Sequence, residues 1–287
     1  MKTTPRRLLP CLALPLAAAS LSAETGPAPL FVQLSYAHES ASDYHSGENS
    51  LASFLYGPAN NTDYEINKVL LDVSYAFSGG LYLYAGFVAS DIEINGDLAI
   101  ANFDGDFEPR ETTLGAGYSL PLGPVTLRPE LRYTFNIDRE FDQTGTLPTT
   151  DGGDYLGLSL AASYRLLGLD HTATFAYTAY EDDVSHPLFP SFSLGDRYAL
   201  DYQILKGFGA FYAALGHTIT LSEQTEGTPG FLGFRYLYEK PRYNEVRARL
   251  GYSLDSSSSV FASASYTYDG SDAAKDRKFT VGIDRRF

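Results

Sequence analysis

The stretch SYAHESASD, residues 35–43, sets an imidazole and a hydroxyl two positions apart, at His38 and Ser40. In an extended chain that spacing puts both side chains on one face. A serine beside a basic imidazole is the pairing on which nucleophilic acyl chemistry is built. The imidazole also needs a group on its far nitrogen, to hold it in the working tautomer. Asn67 and Glu65 are the candidates for that role, provided the following strand runs back beside the first. A second stretch, NFDGDFEPR (102–110), alternates carboxylates at Asp104, Asp106 and Glu108. That is a partial calcium-ligand pattern, but the remaining ligand spacing is missing. A solvated acidic loop is the expected reading, with no metal site and no cofactor.

Any such chemistry depends on what positions it. VTLRPELRYTFNI (125–137) carries Val125, Leu127, Pro129, Leu131, Tyr133, Phe135 and Ile137 on one parity. Thr126, Arg128, Glu130, Arg132, Thr134 and Asn136 take the other. Alternation this strict predicts a long strand with one apolar and one polar face. The same pattern recurs in KVLLDVSYAF (68–77), TTLGAGYSL (112–120), YLGLSLAASYRL (155–166) and NEVRARLGYSL (244–254). Twelve strands are predicted, near 29–38, 64–77, 81–91, 110–120, 125–138 and 153–166, then 170–182, 194–205, 208–222, 241–254, 260–270 and 276–287.

The connections between them sort into two kinds. Short ones fall at 78–80, 121–124, 167–170, 206–207 and 255–259. Long ones fall near 39–63, 92–109, 139–152, 183–193, 223–240 and 271–275. Alternating strands with short turns on one side and long loops on the other predict an all-β transmembrane antiparallel up-and-down β-barrel. Tyr75, Tyr118, Tyr133, Tyr164 and Tyr252 near strand ends fit its interfacial aromatic girdle. A soluble sandwich would bury two apolar faces against each other, with no reason to sort its turns by length. Pro129 cannot donate to a ladder, so a local bulge is expected there.

Composition and termini agree with a membrane barrel. The 287 residues carry a formal charge of −14, which argues against a nucleic-acid partner. Lys2, Arg6 and Arg7 precede a short apolar core from Leu8 to Ala19 and then the small residues AAASLSA. That is the pattern of an export signal, read here as residues 1–23, leaving 24–287 as the barrel. Removing it takes three cations and no acid, giving −17, and takes Cys11, the only cysteine. Neither disulfide nor thiol chemistry is then expected.

The final residues, FTVGIDRRF, resemble the assembly signal of bacterial outer-membrane barrels, a terminal Phe with apolar residues at alternate positions before it. Phe279, Val281, Ile283 and Phe287 carry that resemblance, and Arg285 departs from it. It implies insertion by the barrel assembly machinery into the bacterial cell outer membrane, among lipid and lipopolysaccharide, as a monomer. The His38-x-Ser40 pair is similar to the core of outer-membrane phospholipase A and of lipid A deacylases, where the motif faces lipid. Ala41 stands where those families have Asn. This resemblance implies an acyl hydrolase using His38 and Ser40, with Asn67 or Glu65 as orienter.

By parity the interior of such a barrel is lined by many small residues, among them Gly115, Gly117, Gly157, Ser159 and Ser163. Its charges are Lys68, Arg128, Arg132, Arg165, Arg247, Arg249 and Arg286 against Asp72, Glu130, Asp201, Glu245 and Asp284. Small side chains leave room for water, and inward charges tune selectivity. The expected function is a narrow porin-like channel for small solutes with a slight anion preference. A closed structural barrel and the lipid-facing hydrolase are the alternatives.

Overall fold

In the computed structural model the described residues are 30–45, 62–98, 101–107, 110–136, 154–180, 192–193, 195–223, 225–227, 236–238, 242–271 and 273–287. The export signal expected at 1–23 lies outside them. Strands β1 (Leu30–His45), β2 (Thr62–Ala76), β3 (Leu81–Leu98), β4 (Ala101–Phe107), β5 (Arg110–Tyr118) and β6 (Leu120–Leu122) come first. They are followed by β7 (Val125–Asn136), β8 (Tyr155–Leu166), β9 (Leu169–Tyr180), β10 (Phe192–Ser193), β11 (Arg197–Phe208) and β12 (Phe211–Ser222). The last are β13 (Thr225–Gly227), β14 (Tyr236–Tyr238), β15 (Arg242–Ser253), β16 (Ser258–Ser271) and β17 (Ala273–Arg286).

Twelve of these form one closed antiparallel wall, in the order β1, β2, β3, β5, β7, β8, β9, β11, β12, β15, β16 and β17. The ring closes where β17 pairs β1, from Phe31 opposite Arg286 to His45 opposite Ala273. Closure leaves no sheet edge, which is the condition for strands to cross hydrocarbon. Strand β4 folds back on the far end of β3. The short strands β10, β13 and β14 make a separate small sheet.

The wall is inside out relative to a soluble protein. Leu34, Leu83, Leu114, Leu131, Leu158, Leu200, Leu215 and Leu250 are all exposed, Leu131 at 48 %. Gln33, Ser35, Glu39, Lys68, Asp72, Asp201 and Glu245 are buried. Each exposed Leu would forgo roughly 1.5–3 kcal/mol in water, so a belt of them is stable only against acyl chains. The apolar face of 125–136 therefore meets lipid, and Arg128, Glu130 and Arg132 face the lumen. Tyr75, Tyr118 and Tyr252 are exposed near the short-turn end, as a girdle requires.

Several boundaries differ from those expected. The first strand continues to His45 and the third to Leu98, so parts of the loops expected at 39–63 and 92–109 are strand. The loop expected at 271–275 is mostly strand, because β16 runs to Ser271 and β17 begins at Ala273. The turn expected at 206–207 sits at 209–210, where Gly209 takes a positive φ of 66°. Polar residues at the ends of long strands look like loop, yet the ladder simply continues into the headgroup region.

The bulge expected at Pro129 is not there. Gly117 pairs Glu130 below the proline and Leu120 pairs Leu127 beyond it, in the same register. The strand opposite breaks instead, between Tyr118 and Leu120, and the Ser119 N–H donates to the Gly80 carbonyl at 2.8 Å. A proline removes a donor without adding a residue, so an interruption answers it and no extra residue is needed.

Candidate functional site

The lumen lining is built from the inward parity of each wall strand. On β1, β2 and β17 the carboxylate of Glu39 lies between two lysines, with Lys68 Nζ at 2.9 Å and Lys278 Nζ at 3.0 Å. Glu39 is 1 % exposed, and Asp276 is buried nearby on β17. Across β15 and β11, Arg247 reaches Asp201 at 2.9 Å, and Thr218 donates to the same carboxylate at 2.7 Å. Arg247 also lies 4.0 Å from Glu245.

Nearer the short turns, two blocks combine charge with aromatic rings. In the first, Tyr84 donates to Asp72, Arg132 donates to Glu130, and Tyr82 donates to Glu130 at 2.9 Å. The Arg132 guanidinium lies 4.1 Å from the Tyr84 ring centroid. Arg128 reaches the Ser163 hydroxyl at 3.3 Å. In the second, Arg249 sits 3.6 Å over the Phe261 ring, 3.7 Å from Asp284 and 3.4 Å from the Tyr212 hydroxyl. Tyr212 and Phe261 join Leu205 and Ala214 in a buried apolar cluster.

Glycines make this possible. A Cβ on Gly117 would lie 2.3 Å from the Tyr82 ring, and one on Gly251 would lie 2.0 Å from the Tyr212 ring. At Gly282 it would lie 2.6 Å from the Phe261 ring and 2.8 Å from the Leu34 carbonyl oxygen. Space that the sequence assigned to water at Gly115 and Gly117 is thus taken by Arg132 and Tyr82. Strands β8 and β9 differ. Gly157, Ser159, Ala161, Ser163, Thr172, Thr174, Ala176 and Thr178 line an uncharged arc, and Ser163 and Thr172 share a 3.2 Å hydrogen bond.

All the inward charges expected from sequence lie on the lumen parity, although Arg165 is at the rim, 64 % exposed and 3.5 Å from Asp170. Parity on the observed strands adds Glu39, Glu111, Asp170, Arg197, Asp276 and Lys278. The seven cations thereby become nine with Arg197 and Lys278. The five acids become nine with Glu39, Glu111, Asp170 and Asp276. The added residues were legible as parity, since Lys278 precedes Thr280 and Gly282, but they fell in segments read as loop or strand end. Of the weak calcium candidates, Asp104 and Asp106 are described for their backbone only and Glu108 lies outside the described residues. Among the described residues no acidic or histidine cluster is arranged to hold a metal.

Outside, the first hairpin pairs His38 with Asn67 and Ser40 with Glu65. The His38 Nδ1 lies 3.0 Å from the Asn67 carbonyl oxygen, which also accepts a 2.7 Å bond from the Tyr36 hydroxyl. An amide oxygen accepts only, so Nδ1 is the donor in this bond. Among the described residues no hydrogen bond joins His38 to Ser40. The two line an exterior groove of about 500 Å³, together with Arg277, Phe279, Ala264 and Tyr266.

Solved structures with this wall topology are bacterial outer-membrane barrels. The COG4313 outer membrane channel from Pseudomonas putida F1 superposes with a TM-score of 0.68 at 12 % identity, over 92 % of this chain and 97 % of that one. The transport unit of the autotransporter AIDA-I from Escherichia coli gives 0.57 at 9 % identity, over 99 % and 97 %. The translocator domain of the autotransporter NalP from Neisseria meningitidis gives 0.55 at 12 %, over 92 % and 90 %. The chain has the fold of an outer-membrane barrel. No protein-family model matches it, and no curated protein does. At these identities the likeness is one of fold, shared by a channel and by translocators. Phe279, Val281, Ile283 and Phe287 stand on the lipid face, and Arg285 lies 4.9 Å over the Phe287 ring. The stacking accounts for a cation at a position where an apolar residue is expected.

Proposed function

We propose that the protein is a narrow outer-membrane channel for small polar solutes. The observation that carries this reading is the asymmetric lumen. Charges and rings pair with near neighbours on the other strands of the wall, while Gly157–Ser163 of β8 and Thr172–Thr178 of β9, between the charged strands β7 and β11, present small uncharged side chains. A lining that pairs locally and stays small on one arc supports a path that can only be narrow, since Ala161, Thr174 and Ala176 on that arc are buried. The structural neighbour described as an outer membrane channel supports the reading by its overall fold. Among the described residues nine inward cations meet nine inward acids, a balance that lends no support to the slight anion preference expected from sequence. A weakly selective channel is proposed in its place, with the rings near the short turns as its constriction. Purified protein in planar bilayers should give small, discrete conductances. Bilayers indistinguishable from protein-free controls would leave the closed structural barrel as the better account.

A second reading, the lipid-facing acyl hydrolase, is favoured by the His38–Asn67 pair. The orienting half of a triad is in place on the barrel exterior. The catalytic half is missing, because Ser40 makes no bond to the imidazole. The purified barrel is therefore expected to release no fatty acid from phospholipid or lipid A, with or without Ca²⁺. Release that vanishes in both H38A and S40A, with the barrel still folded by its shift between unheated and boiled gels, would make hydrolysis the function.

A further inference from the structure

The exterior groove stands out on the lipid face because a cation opens onto it. On the lipid parity of β17, Arg277 lies beside Ser40 of β1 and Tyr266 of β16. One step down, Phe279 lies beside His38 and Ala264. The small Ala264, flanked by Phe279 and Tyr266, makes a dent in the wall that is lined mainly by apolar atoms. Arg277 is exposed, and among the described residues no carboxylate pairs with it.

Height decides what reaches that guanidinium. Arg277 is nine residues from Arg286 at the short-turn end, and strand rise with a tilt near 40° puts it roughly 23 Å above that end. The apolar band of such barrels is about 25 Å tall, so Arg277 stands at the far edge of the hydrocarbon, at headgroup level. An unpaired guanidinium there needs an anion, and phosphate oxygens match its planar fork of donors. The dent below it has the polarity of an acyl chain.

We propose that this groove binds one phosphate-bearing lipid of the outer leaflet. Its phosphate lies on Arg277 beside Ser40, and an acyl chain lies over Ala264 against Phe279. The site is independent of conduction through the lumen and of hydrolysis, since it needs only binding.

The test is native mass spectrometry of the intact barrel in non-ionic detergent, with dilauroyl phosphatidic acid as probe. The phosphate lipid should give a one-to-one adduct at about a tenth or less of the concentration that dilauroylglycerol needs, as one charge-assisted pair predicts. R277A should abolish that difference, and A264L, which fills the dent on a lipid-facing surface, should weaken both adducts. R285A, which removes a lipid-face cation at the other end of the same strand, should bind like the wild type. All three variants are checked for folding by the unheated-gel shift. Equal binding by wild type and R277A, or equal loss in R277A and R285A, overturns the proposal. Displacement of the lipid by inorganic phosphate at the lipid's own concentration would make the site one for a free anion, and overturns it too.

Discussion

Replacing Glu39 by Ala is expected to lower the stability of the folded barrel by about 3–5 kcal/mol, the usual consequence of removing one partner from a buried ion pair. The carboxylate holds two ammonium groups within 3.0 Å, and the Lys68 and Lys278 side chains are 5 % and 15 % exposed. Without it, two cations share a space already taken from solvent. Glu39 also ties β1 to both neighbours, β2 through Lys68 and β17 through Lys278, at the seam where the barrel closes. The readout is the urea midpoint for loss of the fast-migrating folded band. The double variant Glu39→Ala with Lys278→Ala should recover part of the loss, because one of the two buried ammonium groups leaves with its partner. A midpoint for Glu39→Ala within experimental error of the wild type would mean that water reaches these groups freely.

Removing the rings of Tyr212 and Phe261 is expected to raise single-channel conductance at least about twofold, because pore diameter sets the passage of small solutes. Both rings point inward near the short turns, with Gly251 and Gly282 giving up the space they fill. The Tyr212→Ala, Phe261→Ala pair also strips Arg249 of the Phe261 ring it covers at 3.6 Å, leaving Asp284 as its carboxylate partner. A guanidinium so released adds positive field to the widened end, so reversal potentials in a salt gradient should move toward anions. Tyr212→Ala alone should give an intermediate conductance. Unchanged conductance in a folded double variant would place the constriction elsewhere along the lumen.

The charge inventory illustrates where sequence reasoning runs out. Alternation told Arg128, Glu130 and Arg132 from their apolar neighbours without any structure, because a strand's period of two needs no partner to be read. It missed Glu39 because the ladder continues past the point near His38 where the apolar parity ends, and it passed over Lys278 although Thr280 and Gly282 share its face. It also mistook glycine for empty space. Gly117 and Gly251 are small so that Tyr82 and Tyr212, each from an adjacent strand, can lie over them. Which ring covers which glycine is a matter of cross-strand register, and register is a property of pairs.

By itself the sequence determined the class of fold, the number of wall strands, the face that most of them present to lipid and the apolar terminal pattern at Phe279, Val281, Ile283 and Phe287; the third and ninth strands alternate too weakly for their facing to be read. All of these follow from local periodicity and from the energy of apolar surface in water. Only the tertiary structure decided that His38 faces Asn67 but makes no bond to Ser40. It also decided that Glu39 is shared by two lysines, and that Arg277 and Ala264 from different strands form one groove. Each of those facts depends on which residues stand opposite one another around a closed ring. Long loops leave that register free in the chain, and closure of the sheet fixes it.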